Sequence, residues 1–89
     1  MKNEVVHELK AWPEYFEEIW QGRKTFEIRK NDRAFRVGDV LFLREYFPNT
    51  NQYSGRELKA QINYLLSDYI GLTDGYVAMS IAVFDDMPF

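Results

Sequence analysis

Within the twelve residues Gly22-Arg23-Lys24-Thr25-Phe26-Glu27-Ile28-Arg29-Lys30-Asn31-Asp32-Arg33, a glycine turn leads into an alternating stretch that sets the carboxylate of Glu27 among five basic groups. Side chains two apart on a strand share a face at a spacing of about 7 Å, so Thr25, Glu27 and Arg29 form a row. A turn at Gly22 can swing Lys24 or Arg23 towards that row. A carboxylate so placed can accept hydrogen bonds from a base edge or a sugar, or act as a base towards water. The neighbouring guanidinium would hold an anionic or carbonyl oxygen. The same pattern also suits a plain row of surface ion pairs worth about 0 to 1 kcal/mol each, and periodicity does not separate the two.

Charge distribution sharpens the interest in this stretch. Between Arg23 and Arg36 lie six of the eleven Lys and Arg residues against Glu27 and Asp32, a formal +4, while the rest of the chain carries −7 and the total is −3. A local positive field within an acidic protein suits an anionic partner such as a phosphate-bearing ligand or a single nucleic-acid strand; a solvated basic loop fits the charge equally well. Other candidates flank it. His7 can be a ligand, an acid or base, or a core-edge imidazole bonded to backbone. Lys10 and Trp12 stand where a first strand hands over to a helix, so a cation and an indole can line a mouth together, although snorkelling and packing explain them as well. Asn31, Asp32 and Arg33 have the chemistry of a turn, and of a polar loop that reads a nucleotide. Tyr46 and Tyr53 border a hairpin as core packing or as stacking rings. No P-loop, GxSxG, HExxH or GxGxxG pattern occurs. With no cysteine and a single histidine, the sequence calls for no disulfide, no thiolate or histidine-rich metal centre, and no cofactor.

The elements that must position these groups follow from pattern. Eighty-nine residues, 46% hydrophobic and 17% aromatic, make one domain over residues 1–89. Glu4 to Lys10 alternates as a strand. Pro13 opens a helix on which Trp12, Phe16, Ile19 and Trp20 recur at helical spacing with Tyr15 on the flank, an aromatic stripe expected mainly in the core, and Gly22 stops it. Thr25 to Arg29 is a strand expected to pack Phe26 and Ile28 inward and present Thr25, Glu27 and Arg29 outward. Gly38-Asp39 turns into a strand from Val40 to Phe47. Pro48 to Asn51 and Ser54-Gly55 bracket a hairpin connection. Arg56 to Leu66 alternates with Leu58, Ala60, Ile62, Tyr64 and Leu66 inward, and Tyr76 to Phe84 is a last strand. Residues 85–89 read as a mobile tail. Five strands and one early helix imply an α+β domain whose small sheet curls or closes into a barrel to manage its edges. Nothing near the N-terminus reads as a signal peptide and no apolar run approaches the ~20 residues of a membrane span, so a soluble cytoplasmic protein is expected, with no membrane partner.

The chain resembles the ASCH family of the PUA-like superfamily, in its short, stand-alone bacterial and phage branch. The stretches that carry the likeness are His7 to Lys10, Pro13 with Phe16 and Ile19, Gly22 to Arg29, Asp32 to Phe35, and Val37 to Leu41. Its Gly-x-Lys-x-x-Glu-x-Arg core followed by Gly-Asp is the specific part, and the likeness runs to about Val83. The resemblance implies a PUA-like mixed β-barrel with its helix beside a cleft lined by Lys24, Glu27 and Arg29, and a role in binding RNA, a nucleotide or a nucleoside. Some ASCH relatives are small amidohydrolases that deacylate a modified cytidine with lysine, threonine and glutamate. Their lysine falls on Lys24, but their threonine falls on Glu27, with Thr25 one position off register. The enzymatic alternative for this sequence is therefore water attack assisted by Glu27, with Lys24 or Arg29 holding the oxyanion. A third alternative is a protein partner engaged through the acidic remainder.

Overall fold

The structure, a computed structural model, describes residues 4–84; the tail expected over 85–89 lies outside them. Strands β1 (Val6–Ala11), β2 (Phe26–Lys30), β3 (Val40–Phe47), β4 (Gln52–Ser67) and β5 (Tyr76–Val83), with helix α1 (Pro13–Trp20) between the first two strands, form an α+β unit. All five strands belong to one mixed sheet of order β1-β3-β4-β5-β2, with β1 parallel to β3 and the remaining pairs antiparallel. The chain therefore leaves one edge of the sheet after β1, passes through α1, and re-enters at the opposite edge as β2. The sheet curls into a half-barrel.

Alternation of apolar residues places one continuous core on the inner face, where Leu9, Phe16, Ile19, Leu41, Leu43, Leu58, Ile62, Val77 and Met79 are buried together. Pro13 is pre-organised for the first turn of α1, which buries Phe16 and Ile19. The helix stops at Gly22, whose φ of +82° disfavours any residue with a Cβ. Arg56 ties the helix to the sheet: its guanidinium donates to Glu17 and Glu45 and lies about 5 Å from the ring centroids of Phe16 and Trp20.

Two bulges depart from simple alternation. Arg44 pairs with Glu57 but Tyr46 pairs with Tyr53, so β4 carries two extra residues opposite Glu45. Gly55, at φ +98°, takes the strain there, and Ser54 and Arg56 converge on the Glu45 carboxylate. The segment Ser54-Gly55, expected as hairpin connection, is thus inside β4, and the turn is confined to Pro48–Asn51. A second register shift lies between Ile62 and Tyr64. It inserts Asn63 and reverses the parity beyond it, so Leu65 packs against the core while Tyr64 is 63% exposed and Leu66 leaves the inner row expected for it.

Candidate functional site

Register decides what the row around Glu27 faces. Glu27 pairs with Met79 and Arg29 with Val77, and directly paired residues of a sheet share a face. Met79 and Val77 are core residues. Glu27 and Arg29 therefore point inward, and Phe26 and Ile28, expected in the core, are 49% and 52% exposed. The expected inside and outside of β2 are exchanged. The burial of charge is tolerated because the charges are paired: Glu27, 5% exposed, accepts from Lys24 Nζ at 2.5 Å on Oε1 and from Arg29 Nε at 2.7 Å on Oε2. Lys24 reaches this position from the turn after α1, where its N–H and that of Arg23 both donate to the Glu18 carbonyl.

These groups sit at the floor of a cavity of about 640 Å³ that opens between the two edge strands. Its walls are Trp12 and Tyr15 from the start of α1, Phe26 and Ile28 of β2, Lys10 and Ala11 of β1, and Tyr76 of β5. The floor is charged and the walls are mostly apolar.

The two edges meet there without a ladder. Val40 N–H donates to the Val5 carbonyl, so the odd-numbered residues of β1 bond to β3 and the carbonyls of Glu8 and Lys10 face the seam. Arg29 Nη2 donates to the Lys10 carbonyl at 2.9 Å and Arg33 Nη1 to the Glu8 carbonyl at 2.8 Å. Two guanidinium rungs replace backbone pairing along the seam. On β2, Thr25 accepts from Ile81 N–H and Asn31 donates to the Gly75 carbonyl, so Phe26, Ile28 and Lys30 turn their peptide groups to the opposite side. The Phe26 carbonyl is taken by Lys24 and that of Lys30 by Asp32 N–H. The N–H and C=O of Ile28 remain at the rim of the cleft.

Of the residues singled out from sequence, Lys24, Glu27, Arg29, Lys10 and Trp12 line this cavity. Arg33 lies beside it in a second hollow with Lys10, Arg29 and Tyr53. Tyr46 is outside both linings, below the Lys10 ammonium at 4.4 Å and edge-on to Tyr53 at 5.0 Å. His7 stands apart: its Nε2 is 2.8 Å from Asp39 Oδ2 and its ring meets the edge of Phe35, so the imidazole is a buried structural partner of a carboxylate. Asn31 also serves the fold, accepting from Phe35 N–H within its loop. Tyr15, Phe26, Ile28 and Tyr76 escaped the sequence reading. The i, i+3 spacing of Trp12 and Tyr15 at the helix start was the one local signal for any of them. Thr25 is exposed and outside the lining.

No group of His, Cys, Asp and Glu among the described residues could hold a metal ion, and none of their helices is long and apolar enough to cross a membrane. A family model described as a domain of unknown function, DUF3850, matches residues 6–81, which include the cleft. An uncharacterised 12.9 kDa protein in the GpA 3′ region of Escherichia phage P2 is 36% identical over 67 residues. That alignment covers 73% of this chain and 60% of the phage protein, so the chain spans less than two thirds of its relative's length.

Proposed function

The chain belongs to the DUF3850 family, and we propose that it acts there as an RNA- or nucleotide-binding module whose cleft takes a nucleobase. The observation that carries this reading is the buried Glu27 carboxylate, held by Lys24 and Arg29 at the floor of an apolar-walled cavity of about 640 Å³. A nucleobase has two apolar faces and a polar edge of donors and acceptors, and the cleft is its complement. Trp12 and Tyr15 supply ring surface for the faces; Glu27 and the Ile28 peptide meet the edge. An ionised carboxylate has about four lone-pair sites, of which Lys24 and Arg29 occupy two, so Glu27 keeps acceptor capacity for a base amino or imino group. The cavity lies within the size range of roughly 300 to 1,000 Å³ usual for small-molecule sites.

We further propose kinship with the ASCH domains of the PUA-like superfamily. The Gly-x-Lys-x-x-Glu-x-Arg run and a curled mixed sheet with a helix beside the cleft support it. The amidohydrolase alternative has less support, since both Glu27 oxygens are engaged by cations and Thr25 lies outside the cleft.

Calorimetric titration of nucleosides, mononucleotides and short RNA strands tests the reading. Wild type binds at least one of them. Glu27→Gln, nearly isosteric, weakens binding about tenfold or more, as expected when a charge-assisted contact is lost. Trp12→Ala weakens it by a factor of about 5 to 100 through lost stacking. Absence of binding across the panel, or wild-type affinity in both variants, would refute the proposal. Release of product from acylated cytidines by wild type but not by Glu27→Gln would favour the enzyme instead.

A further inference from the structure

We infer that the natural ligand is a single nucleic-acid strand, and that the nucleotide next to the one in the cleft is held by Lys10, Arg33 and Tyr53 in a second hollow along the same seam. The inference rests on the base-binding reading of the cleft and deepens it.

The second hollow, about 410 Å³, is lined by Glu8, Leu9, Lys10, Arg29, Arg33 and Tyr53, and shares Lys10 and Arg29 with the first. The two are thus contiguous, separated by the Arg29 rung across the seam. Their chemistry differs. The first is mainly apolar around a floor where Lys24 and Arg29 share the one Glu27 carboxylate, whereas the second presents two further cations, Lys10 and Arg33.

Arg29 and Lys24 share the Glu27 carboxylate. The Glu8 carboxylate turns to Arg44 at 2.9 Å, and Arg44 also meets Glu57 at 3.4 Å. Among the described residues the Lys10 ammonium has no carboxylate partner and rests on the Tyr46 ring. Arg33, bonded to the Glu8 carbonyl, has its nearest carboxylate, Asp32, at 4.0 Å. Lys10 and Arg33 therefore present two cations to one hollow, enough for one bridging phosphate.

Tyr53 supplies the remaining feature. Its ring is 39% exposed, backed by the Arg44 guanidinium at 3.9 Å and braced by the edge of Tyr46, whose hydroxyl donates to Asn51. A ring held this way costs little entropy to stack on and tolerates any base. A phosphate between two base platforms is the repeat of a single strand. A free nucleoside would leave the second hollow unused.

The test compares AMP, CMP, GMP and UMP with short homopolymers of rA, rC, rU and dT, by calorimetry and fluorescence anisotropy. The expected result is that at least one strand binds about tenfold tighter than its mononucleotide, from one stacked base and one phosphate. Binding of that strand weakens with salt at a log–log slope of about −0.7 per phosphate neutralised. Tyr53→Ala, outside the first cavity, removes most of the advantage of the strand while mononucleotide affinity is unchanged, and the double variant Lys10→Gln/Arg33→Gln weakens strand binding more than mononucleotide binding. Lys10→Gln alone, at a residue whose side chain donates no hydrogen bond among the described residues, lowers the slope even if the double variant loosens the seam. Mononucleotides that bind as tightly as every strand, or an advantage that survives these substitutions, would overturn the inference and leave the base-binding cleft standing. Failure of all probes to bind would remove both. The dT arm separates RNA from DNA as the source of the strand.

Discussion

Glu27 illustrates how a charged residue comes to be buried without cost out of proportion to its use. Its position on β2 is inward by register, and Lys24 and Arg29 hold its carboxylate there. Removing one partner of such a group is costlier than removing both. A second buried pair, His7 with Asp39, has a different logic. Asp39 Oδ2 accepts from the Arg36 backbone N–H as well as facing His7, so the pair fastens the turn before β3 to β1. His7→Leu should therefore destabilise the protein by about 1 to 3 kcal/mol, the cost of a buried acceptor losing its partner, with ligand affinity per folded molecule unchanged. Chemical denaturation and calorimetry measure the two separately, and a loss of affinity without loss of stability would return His7 to the site.

At the scale of elements, α1 is short and its attachment rests on two kinds of contact. Phe16 and Ile19 supply apolar burial, and Arg56 supplies the clip to Glu17 of the helix and Glu45 of β3. Arg56, followed by Ser54, hydrogen-bonds the Glu45 carboxylate and holds its pKa below the ordinary range despite burial. A depressed native pKa means that the unfolded chain takes up the proton first as pH falls. The contribution is complete above the usual glutamate pKa of about 4.3 and is lost as pH drops through the lowered native value. Arg56→Met keeps much of the contact with Phe16 and Trp20 but should flatten stability against pH between about 5 and 3, as read by thermal unfolding over that range. An unchanged acid slope would show that the clip is not what Glu45 titrates against. Phe16→Ala, which empties the centre of the helix interface, should cost about 3 to 5 kcal/mol.

For the molecule as a whole, the open seam is the feature that joins the fold to the proposed function. A five-stranded sheet of this order has two edges, and curling brings them together without a backbone ladder between them. Arg29 and Arg33 satisfy two carbonyls of β1, and the peptide groups left over face the cleft. A ligand in that cleft should slow hydrogen exchange at Ile28, Glu8 and Lys10 and leave the centre of the β3–β4 ladder as it was. Exchange followed by NMR would reveal it, and uniform protection across the sheet would instead indicate global stabilisation alone.

Strand and helix segments were legible along the chain because alternation, helical spacing, Pro13 and Gly22 are local signals acting through neighbours in sequence. The composition of the site was legible for the same reason: Lys24, Glu27 and Arg29 lie within six residues. The facing of β2 was not, since Phe26 and Ile28 look like core until the pairing with Met79 and Val77 assigns the inner side to the charges. Parity in β4 beyond Asn63 was equally hidden, because a bulge is defined by the partner strand. Tyr76 enters the lining of the first hollow and Tyr53 that of the second through contacts far apart in the chain. Local propensity acts over a few residues, whereas register, curl and the meeting of two sheet edges are long-range pairings settled by burial of the common core, and those pairings made a cleft of what sequence alone presented as a basic strand.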